Sequence, residues 1–186
     1  MLTPTLFFKL GVNVMLNTLL LVVALHQPPV IKRLLPKTHP RDTTKTYIVI
    51  HNDGGNLNAS ATRLVLRLRR LSYHYFVARD GKIYQFMDVK NVANHAGLSA
   101  WDNESMLNSI SIGICLQGTD ITHYSDKQYV SLSKLIDYIH QRFPDSKDKP
   151  LLTHAEVAIP HGRKTDPGFF FDTTKLTLKD FSKENK

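Results

Sequence analysis

The chain has a single cysteine, Cys115, in 186 residues. A disulfide framework is therefore excluded, and with it any sign of the redox compartment from disulfides. Tryptophan also occurs once, as Trp101, and no internal repeat or low-complexity block is present. Long apolar runs are scarce. The main one covers residues 10–25, sixteen positions interrupted by Gly11, Asn13, Asn17 and Thr18, short of the ~20 residues that span a bilayer as a helix. Acidic residues are in deficit, 16 against 24 Lys and Arg, which leaves a net charge of +8 and a pI near 9.6. That balance favours anionic partners (nucleic acid, anionic lipid or an acidic wall polymer) without choosing among them.

What is present is ordinary for a globular protein: 42% apolar and 22% charged residues, in a length that fits one domain with its own core. Three parts differ in composition. In residues 1–25, Lys9 precedes the apolar stretch and Val22 and Ala24 offer an imperfect small-residue cleavage pattern, which suits a signal sequence or a membrane anchor. Residues 26–45 carry prolines at 28, 29, 36 and 40 among Lys32, Arg33, Lys37, Arg41 and Lys45, and read as a basic, Pro-rich linker or extended arm. These charges would hold their side of a membrane in the cytoplasm. The expectation is an exported or membrane-anchored protein of the cell envelope or periplasm, with the cytoplasm as the alternative. The globular domain is expected over residues 46–186.

Residues 46–50 (TYIVI) form a β-branched run that ends on His51, followed by a turn-rich loop over 52–60. Residues 61–70 read as a short basic helix or irregular segment with Arg63, Arg67 and Arg70 on one face. Residues 73–77 and 82–87 make a hairpin that turns at Asp80-Gly81. His74 follows Tyr73 and points to the opposite side of that strand, which gives it a structural role. The run SISIGICL at 109–116 is the pattern of a central strand covered on both faces, and Cys115 inside it reads as an inert thiol. A helix over 125–143 has a capping-box start at Ser125 and Gln128 and stops at Pro144. A short strand over 151–153 delivers His154, and residues 174–181 are expected to close the domain as a helix. The sum is an α/β class: one mixed-sheet domain with helices on its faces.

The chemistry concentrates in residues 151–172, LLTHAEVAIPHGRKTDPGFFFD. His154, Lys164 and Asp166 fall in one segment closed by Pro167-Gly168. Zinc accepts imidazole nitrogen and carboxylate oxygen, and a catalytic site takes three protein ligands and keeps one open position. His154 and Asp166 supply two ligands, and His51 at the end of its strand is the candidate third. Lys164 stands two residues from Asp166, on the same side if the segment is extended.

Four strings in order, IVIHN at 48–52, SYHYFVARDGKIYQF at 72–86, NHAGLSAWDN…NSISIGICLQG between 94 and 118, and GRKTDPG at 162–168, resemble the zinc-dependent N-acetylmuramoyl-L-alanine amidases. That family includes phage lysozyme-type amidases and peptidoglycan recognition proteins, and the resemblance runs from about Thr46 to Asp172. It implies one zinc ion on His51, His154 and Asp166, and hydrolysis of the amide joining N-acetylmuramic acid to L-alanine in peptidoglycan or muropeptides. It further implies Lys164 as the cation for the developing oxyanion and Tyr73 as the group that orients water or donates to the oxyanion. His95, Trp101 and Arg163 become candidate contacts for the muramyl peptide. One position departs from part of the family. Where the cytoplasmic anhydromuropeptide and lipoprotein branches carry a glutamate, this chain has Cys115 and pairs it with Tyr73, as the phage lysozyme branch does. Two other readings compete. A peptidoglycan-binding protein of the same fold without catalysis would usually lack a metal ligand, and all three are here. A nucleic-acid binder would cluster its basic residues with aromatics, whereas here they are spread, so no nucleic acid is expected. Membrane association is expected only through the N-terminal segment.

Overall fold

The structure is a computed structural model that describes residues 28–35 and 44–178; the expected signal or anchor at 1–25 lies outside the described residues. The elements are β1 (Val30–Lys32), β2 (Tyr47–Asn52), α1 (Ala59–Arg69), β3 (Tyr75–Val77), β4 (Ile83–Gln85), β5 (Ala100–Trp101), β6 (Glu104–Ser105), α2 (Leu107–Ile110), β7 (Ser111–Leu116), α3 (Asp126–Arg142), β8 (Leu151–Thr153) and α4 (His154–Val157). Short 3-10 turns cover Pro144–Ser146 and Thr173–Lys175. Six strands form one sheet in the order β1-β4-β3-β7-β2-β8, and β5 pairs with β6 separately. Every neighbour in the main sheet is parallel except the β3–β4 hairpin.

Every side chain of β2 and β7 is buried, as their continuous apolar runs require of strands covered on both faces. Alternation divides those side chains between two layers. Ile48 and Ile50 join Ile112, Ile114 and Leu116 under α3, which contributes Leu132, Leu135, Ile136 and Ile139. On the opposite face Tyr47 and Val49 pack with Leu107, Leu152 and Val157, while Cys115 and Phe76 pack with Ala59 and Leu66 of α1. His51 falls in the second layer by the same parity. The helix α3 starts on the capping box expected of it, with Ser125 and Gln128 each bonding the other's backbone N–H.

Three segments differ from the sequence expectation. Part of the basic arm belongs to the sheet: Val30–Lys32 pairs in parallel with β4, and Leu35 is buried beside Phe76 and Phe86. Val30 and Ile31 are β-branched and suit an edge strand, and the Arg63 guanidinium ties the following turn down by donating to the carbonyls of Arg33 and Leu34 at 2.9 Å each. The hairpin is shorter than its alternating pattern, because Tyr73 and His74 precede β3. No closing helix forms among the described residues near 174. Asp172 caps a single 3-10 turn, and the β-branched Thr173, Thr174 and Thr177 disfavour its extension.

Candidate metal centre

Three different elements bring His51, His154 and Asp166 together at the carboxyl end of the sheet, where open α/β folds place their sites. His51 is the fifth of six residues in β2. β8 runs beside β2 with Thr153 opposite Ile50, so His154, the first residue of α4, emerges next to His51. Asp166 arrives on the loop after α4 and is fixed through its backbone. The Ala155 N–H donates to the Asp166 carbonyl at 3.0 Å, and Asn52 Nδ2 and the Tyr124 hydroxyl donate to the Pro167 carbonyl at 3.2 and 2.7 Å. Gly168, at φ +98°, passes so close to Asp120 that a Cβ there would lie 2.2 Å from its backbone. Only glycine fits this crossing.

The donor atoms form a triangle. His51 Nδ1 lies 3.1 Å from His154 Nδ1 and 3.1 Å from Asp166 Oδ2, and His154 Nδ1 lies 3.1 Å from the same oxygen. The outer nitrogens of both rings are already engaged. His154 Nε2 is 3.1 Å from the Ala96 carbonyl, which only accepts, so the ring proton sits on Nε2 and Nδ1 carries a lone pair. His51 Nε2 is 3.0 Å from His95 Nδ1, His95 Nε2 is 3.3 Å from Ser111 Oγ, and Ser111 Oγ donates to the Leu107 carbonyl at 2.5 Å. With its own proton spent on Leu107, Ser111 accepts from His95, His95 Nδ1 accepts from His51, and His51 Nδ1 is left with a lone pair. Hydrogen-bond partners thus fix all three tautomers.

Burial also keeps the His51, His74 and His95 rings neutral. It pushes His51 down to about 4, His74 to about 3 and His95 well below the ordinary histidine range. Two imidazole lone pairs and a carboxylate oxygen therefore point at one another without a proton between them. That arrangement is unfavourable unless a cation lies between the atoms. Tetrahedral ligands at about 2.0–2.1 Å from zinc stand about 3.3 Å apart, close to the triangle observed. The donor set and spacing fit a zinc ion.

A cavity of about 340 Å³ opens beside the triangle, lined in part by Tyr73, His95, Arg163, Lys164 and Asp166. Tyr73 is half-buried with its ring 4.9 Å from that of His51, and burial raises its pKa well above the ordinary value, so the hydroxyl keeps its proton. Lys164 is exposed at the cavity's edge. Arg163 borders the cavity and clasps two loops, donating to the carbonyls of Ile159, Ala96 and Leu98 at 2.8, 3.2 and 2.8 Å. His95 reaches the cavity wall, but its ring is buried and both nitrogens are engaged under His51, an arrangement that orients the His51 ring. Trp101 is half-buried against the cluster of Tyr47, Val49 and Leu107 and is not among the residues lining this cavity. Cys115 is fully buried opposite His51 in the strand register, and burial raises its thiol well above the usual range, which leaves it protonated. His74 is spent on structure: Nδ1 accepts from the Gly113 N–H at 3.0 Å and Nε2 donates to the Asn91 carbonyl at 3.1 Å.

Ser111, Gly113, Asn52 and Tyr124 were not anticipated as supports of this site. For Gly113 a signal existed, since a glycine inside an otherwise β-branched strand marks a close approach. Here it is the His95 ring: a Cβ at Gly113 would lie 2.6 Å from His95 Cγ.

The sequence profile of the N-acetylmuramoyl-L-alanine amidase family matches residues 41–169. The chain belongs to this family. The 1,6-anhydro-N-acetylmuramyl-L-alanine amidase AmpD of Escherichia coli is 32% identical over 168 residues, a match that covers 78% of this chain and 90% of that protein. Among solved structures, the selenomethionine derivative of AmpD superposes with a TM-score of 0.65 at 28% identity, covering 78% of this chain and 92% of the other. Escherichia coli AmiD, solved with the substrate anhydro-N-acetylmuramic acid-L-Ala-D-γ-Glu-L-Lys, superposes with a TM-score of 0.62 at 26% identity, covering 75% of this chain and 58% of the other.

Proposed function

We propose that this amidase-family protein is a zinc-dependent hydrolase of the amide between N-acetylmuramic acid and L-alanine, acting on peptidoglycan or on muropeptides released from it. The observation that carries the reading is the triangle of His51 Nδ1, His154 Nδ1 and Asp166 Oδ2, whose outer nitrogens are already spent. These three residues would hold one zinc ion. Bound there, zinc supplies a Lewis acid that acidifies water and polarises a carbonyl.

The rest of the reaction falls to the chain's own side chains. Lys164, at the edge of the cavity, supplies a positive charge for the oxygen that becomes negative as the amide carbon turns tetrahedral. The Tyr73 hydroxyl, protonated and beside His51, orients the attacking water or donates to the same oxygen. Cys115 has no part as base or nucleophile, because its thiol stays protonated under the strand register that buries it. The chain thus combines overall similarity to AmpD with the Tyr73–Cys115 pair that resembles the phage lysozyme branch, and its mechanism rests on Lys164 and Tyr73. Arg163 and the loop at 94–97 form the wall against which the muramyl peptide would lie.

Purified full-length protein should carry one zinc per chain and release peptide from muropeptides, with both lost after chelation and restored by zinc. Stoichiometric zinc with binding to sacculi but no hydrolysis would instead identify a peptidoglycan-binding protein of the same fold.

A further inference from the structure

The outer surface of α1 is unlike an ordinary solvated helix face. Leu64 and Leu68, one turn apart on it, are 56% and 75% exposed, and Leu71 just past its end is 43% exposed. Leu34, 46% exposed, lies alongside, because the Arg63 guanidinium bonds the Leu34 carbonyl at 2.9 Å. Scattered apolar residues on a surface need no explanation, but a group on one face does. The flanking charge has one sign. From Gly54 to Arg79 the sequence contains no Asp or Glu and five arginines, at 63, 67, 69, 70 and 79. At 100° per residue, Arg63 and Arg67 fall on one side of the leucines, while Val65 and Arg69 fall on the other and line the cavity beside the metal ligands.

Leucines bordered by arginines, on a helix with no acidic residue, make the pattern of a surface that lies in a bilayer interface: apolar side chains enter the acyl boundary while guanidinium groups meet anionic headgroups. A hydrated acidic polymer would account for the arginines and leave the leucines unexplained. We infer that the Leu64–Leu68–Leu71 face of α1 with Arg63, Arg67 and Arg70 docks this domain on an anionic lipid bilayer, with the cavity mouth at the membrane surface. This inference stands independently of the amidase reading. It also assigns membrane contact to the folded domain, apart from residues 1–25.

Co-sedimentation of the full chain with phosphatidylcholine vesicles, with and without phosphatidylglycerol, tests it. Arg67→Glu reverses one charge and should weaken binding to the phosphatidylglycerol vesicles more than about tenfold, at about fivefold per unit of charge. Leu64→Ser/Leu68→Ser should weaken it about tenfold or more on the same vesicles. None of Leu64, Arg67 and Leu68 lines the cavity, and circular dichroism should show both variants folded. Binding at the parental level by both variants would overturn the inference and leave membrane contact to residues 1–25 or cover the leucines with them. Loss in Arg67→Glu alone, with Leu64→Ser/Leu68→Ser unaffected, would also overturn it and identify a polyanion surface.

Discussion

Substituting Gly113 with alanine perturbs the candidate metal centre without touching His51, His154 or Asp166. Gly113 is not among the residues with positive φ, so the backbone accepts alanine, and the whole effect comes from one added methyl. That methyl would lie 2.6 Å from His95 Cγ and 2.8 Å from Cδ2 and Nδ1. To reach ordinary contact at 3.4 Å the ring must lift by about 0.8 Å. His95 Nδ1 accepts from His51 Nε2 at 3.0 Å, so the shift either breaks that bond or drags His51 out of the triangle. Loss of an outer-shell partner typically costs about 10–100-fold in metal affinity, and overpacking adds about 1–3 kcal/mol of instability. Competition against a chelator of known strength measures the first, thermal melting the second. The cycle with His95→Ala isolates the cause: once the ring is gone the methyl has nothing to strike, so Gly113→Ala should add little to the loss caused by His95→Ala alone. Additive losses of zinc affinity, or a Gly113→Ala variant that binds zinc like the parent, would refute the chain of contacts from β7 through His95 to His51.

Ser111→Ala removes the hydroxyl that accepts from His95 and donates to the Leu107 carbonyl and should lower zinc affinity about 2–10-fold, read by the same competition. His51→Ala and His154→Ala should abolish stoichiometric zinc by elemental analysis, while His140→Ala on α3 should retain it. Lys164→Ala and Tyr73→Phe should keep zinc and affinity for sacculi but slow hydrolysis by a factor of about 10²–10³, with Cys115→Ala near the parental rate; the opposite ranking would point to a thiol enzyme. Acid should destabilise the protein through His74. Its folded pKa of about 3 lies below the ordinary 6.5, so the unfolded chain gains protons first, and the stability present above pH 6.5 is lost as pH falls toward 3. The loss is on the order of a few kcal/mol, and a His74→Gln variant should show a shallower decline of Tm over that range.

Periodicity carried most of the fold. The continuous apolar runs of β2 and β7 announced central strands, and Ser125 with Gln128 announced the start of α3, because burial on two faces and a capping box each leave a local pattern. The arm was misread for a reason equally local: prolines at 28, 29, 36 and 40 speak against regular structure, while the three residues that pair with β4 are too few to show an alternation. Among the described residues the helix expected over 174–181 is a single capped turn at Thr173–Lys175, which holds too little apolar surface to extend; positions 179–181 lie outside the described residues.

At the candidate metal centre the three residues that come together, His51, His154 and Asp166, were legible and their support was not. A histidine that ends a strand, another that begins a helix and an aspartate in a Pro-Gly-closed loop are residue types whose chemistry shows in the letters alone. What orients them is set by which strand lies beside which. Ser111, Gly113 and Cys115 share one face of β7 by alternation, and the parallel register with β2 sets Tyr47, Val49 and His51 beside them. The His95 ring then lies across Gly113, bonded to Ser111 at one end and His51 at the other. No spacing in the sequence encodes that contact, since His95 comes from a loop and the two strands it bridges are 64 residues apart from Tyr47 to Ser111. His95 therefore reads from the sequence as a substrate contact in a groove loop; it does reach the cavity wall, with its ring nitrogens bonded to His51 and Ser111. The glycine was the one trace: a strand run of branched residues gives up a side chain only where something must lie against the backbone, and here it is the ring that holds His51 in place.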